Sequence, residues 1–218
     1  MRLYCIPGLG TDSRIFERLQ FPQQVTAEHL RWIAPQPNET LPQYALRMAA
    51  QIDASTPFAL LGYSLGGMLA AELHERLQPR RTLLLASVAG RHEFPPLLQL
   101  GRRLQVYRLL SGRYRIPIQY TPAWWMLGLR RPHDKQLLLQ MLQQSSPAFT
   151  RWAVQAILTW ERTAAPPGLV RIHGGNDRVF PLRYVQAQHV LPQGGHCLLL
   201  DHAPAVSALL QQELLQVI

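Results

Sequence analysis

Residues 58–67 read Phe-Ala-Leu-Leu-Gly-Tyr-Ser-Leu-Gly-Gly, and this stretch gives the clearest indication of the fold. Its apolar first half predicts a buried strand, and the apolar residues after Ser64 recur on one face of a helix. Gly62 and Gly66 bracket the serine in a Gly-x-Ser-x-Gly pattern that permits a very tight turn. We therefore predict that Ser64 is a nucleophile at the tip of a strand–turn–helix unit. The alternative is a glycine-rich turn that binds a phosphate or only packs closely.

Strands and helices alternate over the first ninety residues, and the alternation resumes near residue 169. Thr40 is placed to cap a helix that begins at Leu41. Fully apolar strands separated by helices are typical of a parallel sheet that is covered on both faces. The predicted strands lie at 3–6, 29–33, 58–61, 82–88, 169–172 and 188–191.

The predicted secondary structure changes in the middle of the chain, because helical patterns replace strands from 91 to 165. We therefore predict a core of residues 1–90 and 166–218, interrupted by a helical lid over 91–165. This segment holds eleven Arg or Lys residues, Arg113 and Arg115 among them, against three acidic ones. It thus carries nearly all of the formal net charge of +9. Such an excess either attracts an anionic substrate, an acidic carrier protein or a membrane surface, or simply forms a solvated face.

Two further polar segments follow the last two predicted strands. Asp177 lies in the first of them, and His196 ends a Gly-Gly-His sequence in the second. Because the carboxyl ends of parallel strands share one edge of a sheet, we expect both side chains near Ser64. Asp201 is a rival acid, but we expect it to cap the last helix. His173 is expected to pack below the loop that carries Asp177.

The chain order serine, acid, histidine resembles the α/β-hydrolase fold family, specifically its small, lid-bearing, esterase-like members. The resemblance implies an α/β architecture, with a doubly wound, mainly parallel sheet and a helical lid insert. Because the family's first two strands are absent from this chain, we expect a reduced sheet of about six strands. It also implies that Ser64, Asp177 and His196 form a catalytic triad. Pro7 departs from the family pattern, since a histidine usually begins this loop. The N–H of Leu9 is still able to donate, so the backbone N–H groups of Leu9 and Leu65 are the predicted oxyanion hole.

These roles predict a serine hydrolase that cleaves a carboxylic ester of a small or medium hydrophobic substrate through an acyl-enzyme. We expect it to need no cofactor and no metal. One alternative is a thioesterase or acyltransferase that acts on an anionic acyl carrier such as acyl-CoA. Another is a non-catalytic, hydrolase-like protein that binds a hydrophobic ligand.

Aromatic residues supply candidates for the substrate pocket. Tyr63 adjoins the serine, and it either lines the floor of the site or is merely buried. The aromatic residues of the predicted lid either wall an apolar acyl or alkyl cavity or hold the lid onto the core. The predicted pocket residues are Tyr63, Trp124, Trp125, Leu127, Phe149 and Trp152.

Composition bears on where the protein is expected to act and on its expected partners. No stretch approaches the roughly 18 to 20 apolar residues that cross a bilayer. The N-terminal apolar segment is too short for a secretory signal, and only Cys5 and Cys197 are cysteines. We therefore expect a cytoplasmic protein that acts on a small-molecule ester or thioester, without a nucleic-acid partner. The oligomeric state stays open.

Overall fold

A single six-stranded sheet organises the chain, whose computed structural model describes residues 1–109 and 121–218. The strand order is β2-β1-β3-β4-β5-β6, and every neighbouring pair is parallel. The predicted parallel α/β sheet of about six strands is therefore confirmed. The strands are β1 (Arg2–Ile6), β2 (Thr26–His29), β3 (Phe58–Tyr63), β4 (Arg81–Leu85), β5 (Leu169–Gly174) and β6 (His189–Leu191).

Helices connect the strands and follow the last of them. The predicted cap at Thr40 is confirmed, because its side chain accepts from the Gln43 N–H and the Gln43 side chain accepts from the Thr40 N–H. The α-helices are α1 (Leu41–Met48), α2 (Leu65–Leu77), α3 (Pro96–Arg103), α4 (Thr121–Leu127), α5 (Pro132–Gln144), α6 (Pro147–Leu158), α7 (Leu198–Asp201) and α8 (Ala203–Leu215). Short 3-10 helices lie at Ser13–Phe16, Ala49–Gln51, Arg91–Glu93, Val106–Leu109 and Leu182–Tyr184.

The central strands β1, β3, β4 and β5 are buried on both faces, as their predominantly apolar sequences predict, whereas the edge strand β2 is partly exposed. On β1, Tyr4 and Ile6 belong to the core cluster that contains residues of α1, α2 and α6. Leu3 and Cys5 point to the opposite cluster, to which α7 and α8 contribute. Because side chains of a strand alternate between faces, one short strand anchors two helical layers.

The predicted strand at 29–33 is wrong, since β2 runs from Thr26 to His29. The reason lies in hydrogen bonds from side chains. Both backbone groups of Ile33 bond to the Tyr44 hydroxyl, at 3.0 and 2.9 Å. Those of Arg31 bond to the Gln51 amide, at 2.9 and 3.0 Å. With its polar backbone satisfied in this way, the segment has no need of a sheet partner.

Between β4 and β5 the described part of the chain is helical, with α3, α4, α5 and α6 in succession. The insert rests on the core through tryptophans. The Trp152 indole N–H donates to the Glu39 carbonyl at 2.8 Å, and that of Trp160 donates to the Glu72 carboxylate at 2.9 Å. Residues 110–120, with the predicted charges Arg113 and Arg115, lie outside the described residues. That this insert acts as a lid stays a prediction.

Candidate active site

Ser64 stands on a strained turn between β3 and α2. Its backbone has φ +52°, a conformation that non-glycine residues rarely adopt, and two contacts hold it there. The Ser64 N–H donates to the Leu85 carbonyl at 3.0 Å, and the Ser87 hydroxyl donates to the Ser64 carbonyl at 2.6 Å. A Cβ on Gly66 would lie 2.5 Å from the Pro7 carbonyl oxygen, so only glycine fits beside the loop after β1.

Three side chains predicted to act together form one hydrogen-bonded chain at the carboxyl edge of the sheet. His196 Nε2 lies 3.0 Å from Ser64 Oγ, and His196 Nδ1 lies 2.9 Å from Asp177 Oδ2. The imidazole and the carboxylate are both buried, whereas Ser64 is half-buried. The second carboxylate oxygen, Oδ1, accepts from the N–H groups of Val179 and Phe180 at 2.8 and 2.9 Å.

The surroundings of Asp177 keep it ionised. Burial by itself raises the pKa of a carboxyl group, but the adjacent His196 and the hydrogen bonds outweigh it, so the pKa of Asp177 is lowered. An ionised carboxylate accepts from the Nδ1–H of the imidazole. That bond leaves Nε2 as the nitrogen that faces the serine hydroxyl.

The rival acid Asp201 does not contact the histidine in this arrangement. It ends α7, and the N-cap of α8 is His202, which has no side-chain cap. The predicted capping role of Asp201 is therefore wrong. The side chain instead lines a surface cavity, described below, where burial and the nearby Asp134 raise its pKa.

Backbone donors flank the serine. Leu65 begins α2 directly after Ser64, and the Pro7–Leu9 loop follows β1, the neighbour of β3. A Cβ on Gly8 would lie 3.3 Å from the Ser64 Cβ, so this loop lies against the serine. To other described residues, the N–H groups of Leu9 and Leu65 donate no hydrogen bond. They are therefore available to a ligand.

Three neighbours support the histidine and the acid. His173 is fully buried below the acid loop, with Nε2 2.8 Å from the Phe180 carbonyl and 3.4 Å from Asp177 Oδ2. Tyr63 is also buried, and its ring centroid lies 5.5 Å from that of His196. The Tyr63 hydroxyl contacts Cys197 Sγ at 3.4 Å, and burial raises the pKa of this thiol to about 12. Cys197 therefore stays a neutral thiol.

The structure places the predicted pocket residues at different sites. Trp124 and Trp125 line a cavity of about 490 Å³ beside the loop of His196. Phe149 lines a different cavity, and Trp152 is buried against Tyr44 with ring centroids 4.0 Å apart. Leu127 is half-buried, and its carbonyl accepts from the Cys197 N–H at 3.1 Å.

Sequence reasoning missed two features of this region. Ser87, which anchors the serine turn, follows β4 and so obeys the same rule of strand ends that located Asp177. The other feature is a set of cations around the 490 Å³ cavity, formed by Arg130, Arg131, Lys135 and Arg178. Their convergence depends on the α4–α5 turn docking on the acid loop, which no local pattern signals.

Over residues 1–109 and 121–218, no group of His, Cys, Asp and Glu residues is arranged to hold a metal ion. Among the helices in the same ranges, none has the length and apolarity needed to cross a membrane.

Known proteins resemble this chain in both sequence pattern and fold. The model of the Alpha/beta hydrolase family matches residues 3–209. No curated protein matches the sequence significantly. An esterase from Thermogutta terrifontis is 16% identical with a TM-score of 0.68, covering 100% of this chain and 90% of that one. A hydrolase from Oleispira antarctica is 13% identical with a TM-score of 0.72, covering 96% and 89%.

A bromoperoxidase from Bacillus anthracis has the same fold, with 16% identity, a TM-score of 0.65 and coverage of 98% of this chain and 91% of that one. At such identities the solved structures speak for the fold alone. The family match, by contrast, spans nearly the whole sequence and includes the segments of Ser64, Asp177 and His196. The chain belongs to the alpha/beta hydrolase family.

Proposed function

We propose that this protein is a serine hydrolase that cleaves a carboxylic ester through an acyl-enzyme. The observation that carries the proposal is the continuous hydrogen-bonded chain from Ser64 Oγ through His196 to Asp177, at 3.0 and 2.9 Å. Nucleophile, base and orienting carboxylate are thus within hydrogen-bond reach of one another, as this chemistry requires. A non-catalytic binding protein has no need of this arrangement.

The proposed reaction proceeds in two halves. Ser64 Oγ bonds to the ester carbonyl carbon while its proton moves to His196 Nε2, and the oxyanion accepts from the N–H groups of Leu9 and Leu65. The bond from carbon to the alcohol oxygen then breaks, and His196 returns the proton to that oxygen. Water attacks the acyl-enzyme by the same route, so the acid leaves and Ser64 regains its proton.

An apolar cavity of about 410 Å³ supports a hydrophobic acyl group and a lid role for residues 91–165. Leu9, from the core, forms one wall of this cavity, and α3, the segment directly after it and α6 form the others. Because the cavity reaches Leu9, which carries a proposed oxyanion donor, we expect it to receive the acyl chain bound to the same carbonyl. The residues of the insert that line it are Leu97, Leu98, Leu100, Gly101, Leu104, Val106, Val154, Ile157 and Leu158.

The first prediction tests the nucleophile. The Ser64→Ala change should remove turnover of nitrophenyl esters, by about 10⁴-fold or more, because no other described group replaces the serine. A fluorophosphonate probe should add its mass to the peptide that contains Ser64 in the wild type and leave the variant unlabelled. Nitrophenyl esters of increasing acyl length then measure the size of the apolar cavity.

Ser55→Ala is the matched control, since Ser55 is an exposed serine in the loop before β3. It should keep both turnover and labelling, and circular dichroism should show that both variants are folded. Ester turnover retained by Ser64→Ala would falsify the proposal. An unlabelled wild type that turns over no ester would favour the binding protein instead.

A further inference from the structure

We propose that the 490 Å³ cavity beside His196 binds an anionic substituent on the leaving group of the substrate. The proposal rests on the function proposed above and narrows its substrate class to esters or thioesters with a negatively charged alcohol or thiol portion. It is carried by the lining of the cavity, by its position and by the lack of salt-bridge partners for its cations among the described residues.

The lining combines charge with flat apolar surface. Among the described residues that line it, four carry permanent positive charge, and Asp201 is the one carboxylate. Trp124 and Trp125 add aromatic walls, and the volume lies in the range of small-ligand sites. The basic residues are Arg130, Arg131, Lys135 and Arg178.

Arg178 is held in place by the insert. Its guanidinium carbon lies 4.2 Å from the ring centroid of Trp125, and its Nη1 donates to the Trp125 carbonyl at 2.9 Å. Lys135 Nζ lies 6.0 Å from the ring centroid of Trp124. Two of the four cations are therefore positioned against aromatic rings before any ligand arrives, which lowers the entropy cost of binding.

The position of the cavity assigns it to the leaving group. Gly195 and Asn176 line it, and each directly precedes a member of the hydrogen-bonded chain, His196 and Asp177. In the proposed mechanism His196 gives its proton to the departing oxygen or sulfur, so the leaving group lies on the histidine side. The acyl cavity, by contrast, adjoins Leu9.

Some arginines of the insert are neutralised by a nearby carboxylate. Arg91 and Arg102 pair with Glu161, and Arg162 pairs with Glu72, whereas in the described ranges Arg103 and Arg151 form no salt bridge and are exposed to solvent. Within the described ranges, no carboxylate forms a salt bridge with Arg130, Arg131, Lys135 or Arg178. Part of the excess charge of the insert is thus neutralised locally, while the part beside His196 faces the cavity.

The test compares two esters that differ in the charge of the leaving group, 4-acetoxybenzenesulfonate and the neutral 4-acetoxybenzenesulfonamide. The change Arg130→Gln combined with Arg131→Gln should lower the ratio of their kcat/KM values by about tenfold, because two attractive charges are removed. The neutral ester should change by less than about twofold. Arg151→Gln is the control, since Arg151 is exposed on α6 and lies outside the cavity lining.

An unchanged ratio in the double variant, or an equal fall in Arg151→Gln, would overturn the inference. A second arm separates it from the proposed reaction. Calorimetric binding of inorganic phosphate and of 4-hydroxybenzenesulfonate should persist in Ser64→Ala and be lost in the double variant. Binding with no ester turnover by the wild type would refute the hydrolase proposal and keep an anion site, whereas turnover without such binding would refute the anion site.

Discussion

At the scale of single residues, the site depends on a glycine, Gly66, which has no Cβ beside the backbone that it contacts. The backbone at Ser64 turns so sharply that the loop after β1 and the start of α2 nearly touch. Gly66 lies between them, and a Cβ on it would clash with the Ile6 and Pro7 carbonyl oxygens. The reactive serine and the proposed oxyanion donor Leu9 are therefore positioned by the same close approach.

We expect Gly66→Ala to lower the free energy of unfolding by about 1 to 3 kcal/mol, because the added methyl group meets backbone atoms that cannot rotate away. Gly101→Ala in α3 is the matched control. Its Cβ would lie 3.4 Å from the nearest atom, a Val106 methyl group, so helix propensity should make it neutral or stabilising. Urea unfolding of both variants measures the difference, and equal stabilities would contradict this account.

At the scale of elements, β5 carries two buried polar side chains on one face. Arg171 forms an ion pair with Glu93, and His173 sits two residues further on, against the acid loop. Burial lowers the pKa of His173 from its ordinary value of 6.5, although Asp177 and the Phe180 carbonyl act in the opposite direction. The neutral imidazole is therefore the form that the folded strand holds.

This shift predicts an acid-sensitive stability. Below pH 6.5 the imidazole of the unfolded chain takes up a proton that the folded protein binds more weakly, so the free energy of unfolding falls as pH decreases. The contribution is complete above pH 6.5 and has a slope of up to about 1.4 kcal/mol per pH unit. His173→Gln, which retains a donor, should flatten this slope between pH 7.5 and pH 5. An unchanged slope in urea titrations would reject the role of His173 and attribute the acid sensitivity to other histidines, such as His29 and His74, whose pKa values are also lowered.

At the scale of the whole molecule, the insert and the core are joined by buried aromatic residues. Trp152 on α6 lies against Tyr44 on α1, and its indole N–H satisfies the Glu39 carbonyl. The side-chain carboxylate of Glu39 also pairs with Arg47, so one loop of the core receives both contacts. The Trp152 contacts fix the position of α6, which also lines the proposed acyl cavity.

The change Trp152→Phe should therefore cost about 1 to 2 kcal/mol of stability, since the Glu39 carbonyl loses a buried donor. Trp125→Phe serves for comparison, because its side chain is 64% exposed. Thermal unfolding should show a clear decrease for the first variant and little for the second. If Trp152→Phe were as stable as the wild type, its hydrogen bond to Glu39 would not hold the insert on the core.

The strand pattern was predictable because strands buried on both faces consist of continuous runs of apolar residues. The apolar runs at Leu60–Leu61 and Leu83–Leu85, short and bounded by turn residues, predicted interior strands, and the glycines around Ser64 marked the turn. The segment 29–33 misled the same reasoning. Its apolar residues look like a strand, but hydroxyl and amide groups from Tyr44 and Gln51 take its backbone hydrogen bonds. Such partners are distant in sequence, so no local pattern contains them.

From the sequence we could predict the α/β alternation, the tight turn at Ser64 and the three residue types expected at the carboxyl edge of the sheet. These features depend on local periodicity, on glycine and on the order of strands. The tertiary structure alone decided which acid faces His196, which tryptophans face a cavity and which arginines remain unpaired in the described chain. Each of these depends on which remote segments come into contact, and that is settled by packing the complete molecule.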